Sequence, residues 1–365
     1  MKFLIVGDWH SELHEEAVAK SLESLNHQVE KFGWHQYFKY SKKNIFSWFI
    51  NYYYRAQNKY LFGGQIRKIN EDLLCLSDEF QPEVIFIYRG THIFPRTLKK
   101  LKITNPKVIL VGYNNDDPFA SGHVIGMWRN FIDCLPLLDL ALAYRHANLK
   151  DFSKAGAKRV ELLRSWYIPS RNYPITLSKE ELDKYECDVV FIGHFEYDER
   201  LKCIEAAVNA GYKVKLYGPN YEWDPIIKHD PKLSKLLPVR LVWGKEYNLA
   251  ICGAKVALVF LSKLNRDTYT RRNFEIPATG TLMFSEFTED LASLFKPDID
   301  AMFFNSVAEF SSKLEVAIND EKKRKLIADS GLRAVQNNRH SIDARMDMLI
   351  KWINEIKNLE YEYKK

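Results

Sequence analysis

Two patterns of apolar residues alternate along this chain. Continuous apolar runs of strand length stand at "KFLIVG", "PEVIFIYRG", "PKVILVGYNNDDP" and "LDLALAYR". Between them apolar residues recur at helical spacing, from Glu12 to Leu25 and again through "HANLKDFSKAG", which ends at Gly156. Strands that are apolar on both faces and alternate with amphipathic helices predict a parallel sheet covered on both sides. The rhythm breaks from Trp166 to Glu186, where two prolines interrupt "WYIPSRNYPITLSKEELDKYE" and suggest an interdomain connection. It restarts with the strand "CDVVFIG", the helix "ERLKCIEAAVNAG" and the strand "YKVKLYG", followed later by "AKVALVFL" and "GTLMFSEF". Ser341 to Lys357 predicts a long amphipathic helix with Met346, Leu349, Ile350, Trp352 and Ile353 on its apolar side.

The expected fold class is therefore α/β, with two Rossmann-like domains whose parallel sheets face each other across a cleft. Residues 1–170 form the first, residues 171–340 the second, and residues 341–365 a helix and tail returning to the first. A length of 365 residues suits two cores better than one. The composition, 46% hydrophobic and 27% charged, is that of a folded globular protein. A net charge of +6 is mild, favouring anionic small molecules or an anionic surface and arguing against a nucleic-acid partner. Five cysteines (Cys75, Cys134, Cys187, Cys203, Cys252) form no CxxC pair, which suits a reducing cytoplasm and argues against structural zinc. The apolar run at the N-terminus is too short for a signal peptide, and no stretch reaches the roughly 20 apolar residues of a membrane span.

Ligands of doubly wound sheets sit beyond the C-terminal ends of the strands. That rule selects the loops Gly7–His10, Arg89–His92, Asn114–His123, Gly193–Arg200 and Gly218–Trp223, and the stretch "DTYTRRNFEIPATGTLMFSEF" from Asp267 to Phe287. Neither a G-x-G-x-x-G fingerprint nor a P-loop is present. In the last stretch Arg271 and Arg272 offer planar forks suited to a diphosphate. Glu275 offers a carboxylate able to accept from the two hydroxyls of a ribose. Asp267 precedes it by about two helical turns if the segment is helical.

From Cys187 to Arg345 the sequence resembles the spore-maturation CgeB-like glycosyltransferase group, group 1-like within the GT-B class. The resemblance rests on "DVVFIG" (Asp188–Gly193), Glu199-Arg200, Tyr217-Gly218, the "RxFEIPAxG" block (Arg272–Gly280) and His340–Arg345. "NDDP" (Asn115–Pro118) and "AGAKRVELL" (Ala155–Leu163) extend it into the first half. It implies a UDP- or GDP-linked sugar donor in the second domain and a glycan, lipid-linked or protein acceptor in the first. The donor set would be Glu275 on the ribose, Arg272, Arg271 and Arg200 on the diphosphate, and Gly193, Gly218, Phe274 and Ile276 around them. Asp267 would sit near the donor sugar as a further catalytic candidate; it is Asp where related retaining enzymes carry Glu. Thr279 and Ser341 depart from the group's usual Cys and Thr.

Each position has a plainer alternative. Glu275 can be a helix-surface carboxylate paired with Arg271 or Arg272, and the arginines can be solvated salt bridges. Asp116, Asp117 and His123 are candidate catalytic or acceptor groups; alternatively one aspartate caps a helix and the other fixes the Pro118 turn. Asp8, His10, Arg89 and His92 are acceptor-site candidates, the alternatives being a helix cap and packed imidazoles. Adjacent aspartates are not the spaced D-x-D of metal-dependent sugar transferases, so neither metal nor cofactor is expected. The activity expected is hexosyl transfer with retention in bacterial surface polysaccharide or glycoconjugate synthesis. The alternatives are a nucleotide-sugar 2-epimerase and a non-catalytic sugar-nucleotide-binding subunit of an assembly complex.

Between Glu30 and Glu71 no acidic residue occurs, whereas Lys31, Lys39, Lys42, Lys43, Arg55, Lys59, Arg67 and Lys68 are basic. Thirteen aromatics interleave them, including Trp34, Phe46, Trp48, Phe49 and the run Tyr52-Tyr53-Tyr54. The stretch reads either as core helices with solvated lysines or as peripheral contact with an anionic membrane, on the cytoplasmic face of the inner membrane.

Overall fold

The structure is a computed structural model that describes residues 1–39, 45–122 and 125–362. Its first sheet contains β1 (Lys2–Gly7), β2 (Gln28–Gly33), β3 (Val84–Tyr88), β4 (Ile109–Asn114), β5 (Leu140–Ala143) and β6 (Val160–Leu162). All pair in parallel, in the order β2-β1-β3-β4-β5-β6. Helices α1 (Glu15–Ser24), α2 (Ile45–Tyr60), α3 (Gly64–Phe80), α4 (Pro95–Thr104), α5 (Ile125–Cys134) and α6 (His146–Lys154) connect them. The strands read from apolar runs are the buried ones, with Phe3, Leu4, Ile5, Val6, Val84, Ile85 and Phe86 fully enclosed. β2 has no such run: "QVEKFG" lies at the sheet edge, where water reaches it, yet pairs with β1 from Lys2↔Gln28 to Gly7↔Gly33.

The second sheet contains β7 (Cys187–Ile192), β8 (Val214–Tyr217), β9 (Ala254–Val259), β10 (Leu282–Glu286) and β11 (Met302–Phe304), again parallel, in the order β11-β10-β9-β7-β8. Around it lie α7 (Lys179–Tyr185), α8 (Arg200–Asn209), α9 (Asn220–Ile227), α10 (Gly244–Cys252), α11 (Arg272–Ala278), α12 (Glu289–Leu294), α13 (Val307–Asn319) and α14 (Glu321–Asn337). Aromatic rings fill this core: Phe191 meets Trp223 and Phe260 edge-on, and Phe284 stacks on Phe310 at 5.3 Å.

The last helix, α15 (Ile342–Glu362), belongs to the first unit. Met346, Leu349 and Ile353 are fully buried, and Asp343 accepts a hydrogen bond from Ser21 of α1 at 2.7 Å. Arg159 reaches Glu355, and Lys357 reaches Glu83. The first unit comprises Met1–Arg164, Leu264–Arg266 and Ile342–Lys365; the second comprises Ser165–Lys263 and Asp267–Ser341. The proline-bearing segment is thus integral to the second unit. It carries the capped helix α7, its Tyr167 N–H donates to the His340 carbonyl, and Asn172 Oδ1 accepts from the Ile168 N–H.

At the strand ends of the second sheet two glycines let β7 and β8 close on each other. A Cβ on Gly218 would stand 2.3 Å from the Gly193 carbonyl oxygen, and that oxygen accepts from Trp223 Nε1 at 2.9 Å. Backbone cannot retreat from such a contact without breaking the bond to Trp223. Gly218→Ala is therefore expected to lower unfolding free energy by about 1–3 kcal/mol, the usual cost of overpacking. Urea denaturation checks this; an unchanged midpoint would refute the close approach.

Candidate active site

In the second unit the side chains gather around Glu275. Its helix, α11, is short because Gly280 follows in the left-handed conformation at φ 72°, and Asn273 Oδ1 accepts from the Thr270 N–H at its start. Every residue from Asn273 to Ala278 is buried, Glu275 to 3% exposure. A charge so enclosed needs partners. Tyr247 donates its hydroxyl to Glu275 Oε2 at 2.7 Å, and Arg271 Nε lies 3.2 Å from Oε1. The carboxylate does pair with Arg271, but it is a buried group and not a surface one.

Arg171 adds a second guanidinium, 5.6 Å from the centre of the Tyr247 ring. Burial pushes Arg171 below its ordinary value, while the Glu275 carboxylate opposes that shift. Burial, with the neighbouring Glu275 charge, pushes the Tyr247 phenol well above its own. Arg272 NH2 lies 3.4 Å from where a Cβ of Gly193 would stand, which puts this guanidinium at the end of β7. Arg271 and Arg171 beside the carboxylate, with the Arg272 charge acting on Tyr247, make a cationic cluster suited to a diphosphate and a polyhydroxylated neighbour. The proline-bearing segment gave no sign of Arg171, and Tyr247 had no motif around it.

The other predicted donor residues stand differently. Arg200 is 3% exposed, and its fork binds Asp198 through Nε and NH2, each at 2.7 Å. Its NH1 donates to the His194 carbonyl, so the guanidinium holds the turn after β7. Phe274 packs against Tyr269, Phe295 and His340, and Ile276 is 2% exposed; both seat the helix that carries Glu275. Asp267 lies ahead of α11 in non-helical chain, its N–H bonded to the Ser262 carbonyl, so it does not share a helix with Glu275.

In the first unit the loop after β1 forms a second cluster. His10 Nδ1 lies 2.6 Å from Asp8 Oδ2, and His35 Nδ1 lies 3.4 Å from Asp8 Oδ1. The Asp8 N–H donates to Glu15, a buried carboxylate that lies directly against Gly7 and that burial pushes up. Glu15 was not foreseen; its signal was the glycine closing β1 ahead of an acidic helix start. Between the two residues Trp9 takes a left-handed backbone at φ 57°, and Lys31 Nζ sits 4.1 Å from its ring centre. Asp8, Trp9, Lys31, Gly33, His35 and Lys39 are among the residues lining a cavity of about 350 Å³.

Arg89 pairs with Asp116 at 2.8 Å, and its charge reaches His10. Asp117 is fully buried: Arg266 binds both its oxygens, Asn148 donates at 2.8 Å, and the Phe119 N–H donates at 3.0 Å. Burial alone would raise its carboxyl, but these bonds outweigh burial and hold it below the ordinary value. This is the turn-fixing role. His92 is a packed imidazole, stacked on Trp34 at 4.9 Å and bonded to Thr91 and Asn58; burial pushes it down to about 4. His123 lies outside the described residues. Among the described residues no group of three or more His, Cys, Asp or Glu is disposed to hold a metal ion.

Residues 200–351 match the family model described as glycosyl transferase-like. No curated protein matches the chain in sequence. Solved structures do match in fold. Sucrose-phosphate synthase from Thermosynechococcus elongatus superposes with a TM-score of 0.70 at 10% identity, over 97% of this chain and 99% of that one. Anabaena HepE in complex with UDP-glucose gives 0.65 at 11%, over 97% and 100%. Trehalose 6-phosphate synthase from Burkholderia multivorans gives 0.64 at 11%, over 100% and 98%. The α/β fold with two parallel sheets is that of these GT-B proteins.

The hydrogen bond that His10 donates to Asp8, the largest influence on His10, raises that imidazole above 6.5. A raised histidine stabilises the folded state fully below its unfolded value, and that contribution disappears as pH rises through the folded one. NMR titration should therefore find His10 protonated to higher pH than 6.5, and Asp8→Asn should bring it back down. A wild-type value at or below the ordinary one would remove the pair.

Proposed function

We propose that this chain is a glycosyltransferase of the CgeB-like group. It moves a hexosyl group from a nucleotide-diphosphate donor to a glycan, lipid-linked or protein acceptor in the cytoplasm, serving bacterial surface polysaccharide or glycoconjugate synthesis. The observation that carries the proposal is the buried Glu275, held by Tyr247 and Arg271. It stands inside the span that matches the glycosyl transferase-like model. The bound UDP-glucose of Anabaena HepE favours a UDP-linked sugar as the first donor to test.

In this reading Glu275 accepts from the ribose hydroxyls. Arg272, Arg271 and Arg171 face the diphosphate, and the backbone around Gly193 approaches it closely. Departure of the nucleoside diphosphate builds negative charge on its β-phosphate, and fixed guanidinium donors stabilise that charge as it forms. The acceptor belongs to the first unit, where Asp8, His10 and Arg89 offer donors and acceptors to sugar hydroxyls. We assign the reaction to retention: the acceptor hydroxyl attacks on the face the phosphate leaves, and the leaving phosphate takes its proton.

Two outcomes follow. Glu275→Gln and Arg272→Ala should each weaken nucleotide-sugar binding by about 1.5–3 kcal/mol, or roughly 10- to 150-fold, without lowering the melting temperature much. Calorimetry with UDP-glucose and a GDP-linked sugar reads this directly; unchanged affinity in both variants would remove the donor site. Transfer should also persist in EDTA, because the arginines neutralise the diphosphate. Activity lost in EDTA and restored by Mn²⁺ or Mg²⁺ would give that work to a metal.

A further inference from the structure

The face of α2 that turns outward is aromatic. Trp48 is 64% exposed, Phe49 63%, Tyr52 69%, Tyr53 53% and Tyr60 64%. At 3.6 residues per turn these five fall within an arc of about 140°. They form one surface: Trp48 meets Phe49 edge-on at 5.0 Å and stacks on Tyr52 at 6.1 Å. The face turned to the protein is more polar. Gln57 is buried and accepts from the Gln65 N–H at 2.8 Å, Asn58 Oδ1 lies 2.8 Å from His92 Nε2, and among the described side chains of this helix only Tyr54 packs on the apolar core. A helix that merely covers a core has the opposite arrangement. Monomeric proteins rarely expose contiguous apolar patches without a use for them.

Charge says what the use is. Lys39, Arg55, Lys59, Arg67 and Lys68 are exposed around this helix. From Lys31 to Asn70 there are eight basic residues and no acidic one. The chain's +6 less this segment's +8 leaves −2 for everything else, so the positive charge of the protein is concentrated here. Aromatic side chains flanked by Lys and Arg match the headgroup level of an anionic bilayer, where the rings lodge and the cations meet phosphate. A second copy fits less well, because an isologous contact would bring two basic flanks together. Among the described residues no helix is long and apolar enough to cross a membrane, so the contact is one of lying on the surface.

We propose that the outward face of α2 docks this protein on an anionic lipid surface, with Trp48, Phe49, Tyr52 and Tyr53 at headgroup depth and Arg55 and Lys59 on the lipid phosphates. The surface stands independently of the donor assignment. It gives a lipid-linked acceptor a place to be met.

The test uses the full chain and phosphatidylcholine vesicles with and without phosphatidylglycerol. The protein should pellet with the anionic vesicles at low salt, pellet little with the neutral ones, and be released as salt rises. Trp48→Ser with Phe49→Ser, and separately Arg55→Glu with Lys59→Glu, should each lower partition by roughly tenfold or more. These side chains are exposed, so melting temperature and nucleotide-sugar affinity should stay at wild-type values. Wild-type protein that ignores anionic vesicles at low salt would overturn the proposal, as would variants that pellet like wild type. A concentration-dependent dimer that the Trp48 and Phe49 changes dissolve, with no vesicle binding, would give the face to a second copy instead. Wild-type protein that binds nucleotide sugar but not anionic vesicles sinks this surface alone; wild-type protein that binds the vesicles but no nucleotide sugar sinks the donor site alone.

Discussion

Burial of the Glu275 charge is the constraint around which the second unit is arranged. An enclosed carboxylate is costly unless its oxygens are bonded. Here one oxygen takes the Tyr247 hydroxyl and the other faces Arg271. Those partners come from separate stretches: Tyr247 from α10, Arg271 from the turn of chain before α11, and the nearby Arg171 from the proline-bearing segment about a hundred residues earlier. Phe274 and Ile276 hold the helix in the core, while Asn273 fixes its start and bonds Ser285 of β10. The fold itself thus holds this charge at a fixed place.

The alternating pattern made the sheets legible because their central strands are buried on both faces and therefore apolar throughout. "KFLIVG", "PEVIFIYRG" and "CDVVFIG" have no other comfortable fate. β2 escaped because an edge strand mixes apolar and polar residues, and β11 because three residues carry no period. In the site, Glu275, Arg271 and Arg272 were readable from one compact block. Tyr247 and Arg171 were not, since nothing in their own neighbourhood distinguishes them; only the tertiary path brings them to the carboxylate. The same limit explains Arg200 and Asp117. A strand-end loop tells where a side chain is, but not that Asp198 or Arg266 will occupy it.

The two clusters differ in electrical character. Around Glu275 the Arg271 and Arg171 guanidinium groups act on one carboxylate, and Arg272 adds its charge at Tyr247, an environment with an excess of positive charge. After β1 the signs are mixed: Asp8 lies between His10 and His35, Glu15 is buried beneath, and Lys31 covers Trp9. Mixed donors and acceptors beside an indole suit uncharged hydroxyl-bearing groups better than a phosphate. The basic excess of the first unit lies instead on and around α2, where the aromatic side chains are exposed.

The chain enters the first unit three times: from Met1 to Arg164, briefly at Leu264–Arg266, and finally along α15. The brief return delivers Arg266 to the buried Asp117, and the last one lays Asp343 against Ser21 of α1. A ribosome that has made the chain only as far as Arg164 has therefore made α1 without the helix that packs on it and a buried aspartate without its counter-charge. The second unit, whose segments lie between these visits, has all its residues by Ser341 and can close earlier. Although its strands come first in sequence, the first unit is the one that must wait until α15 has been made.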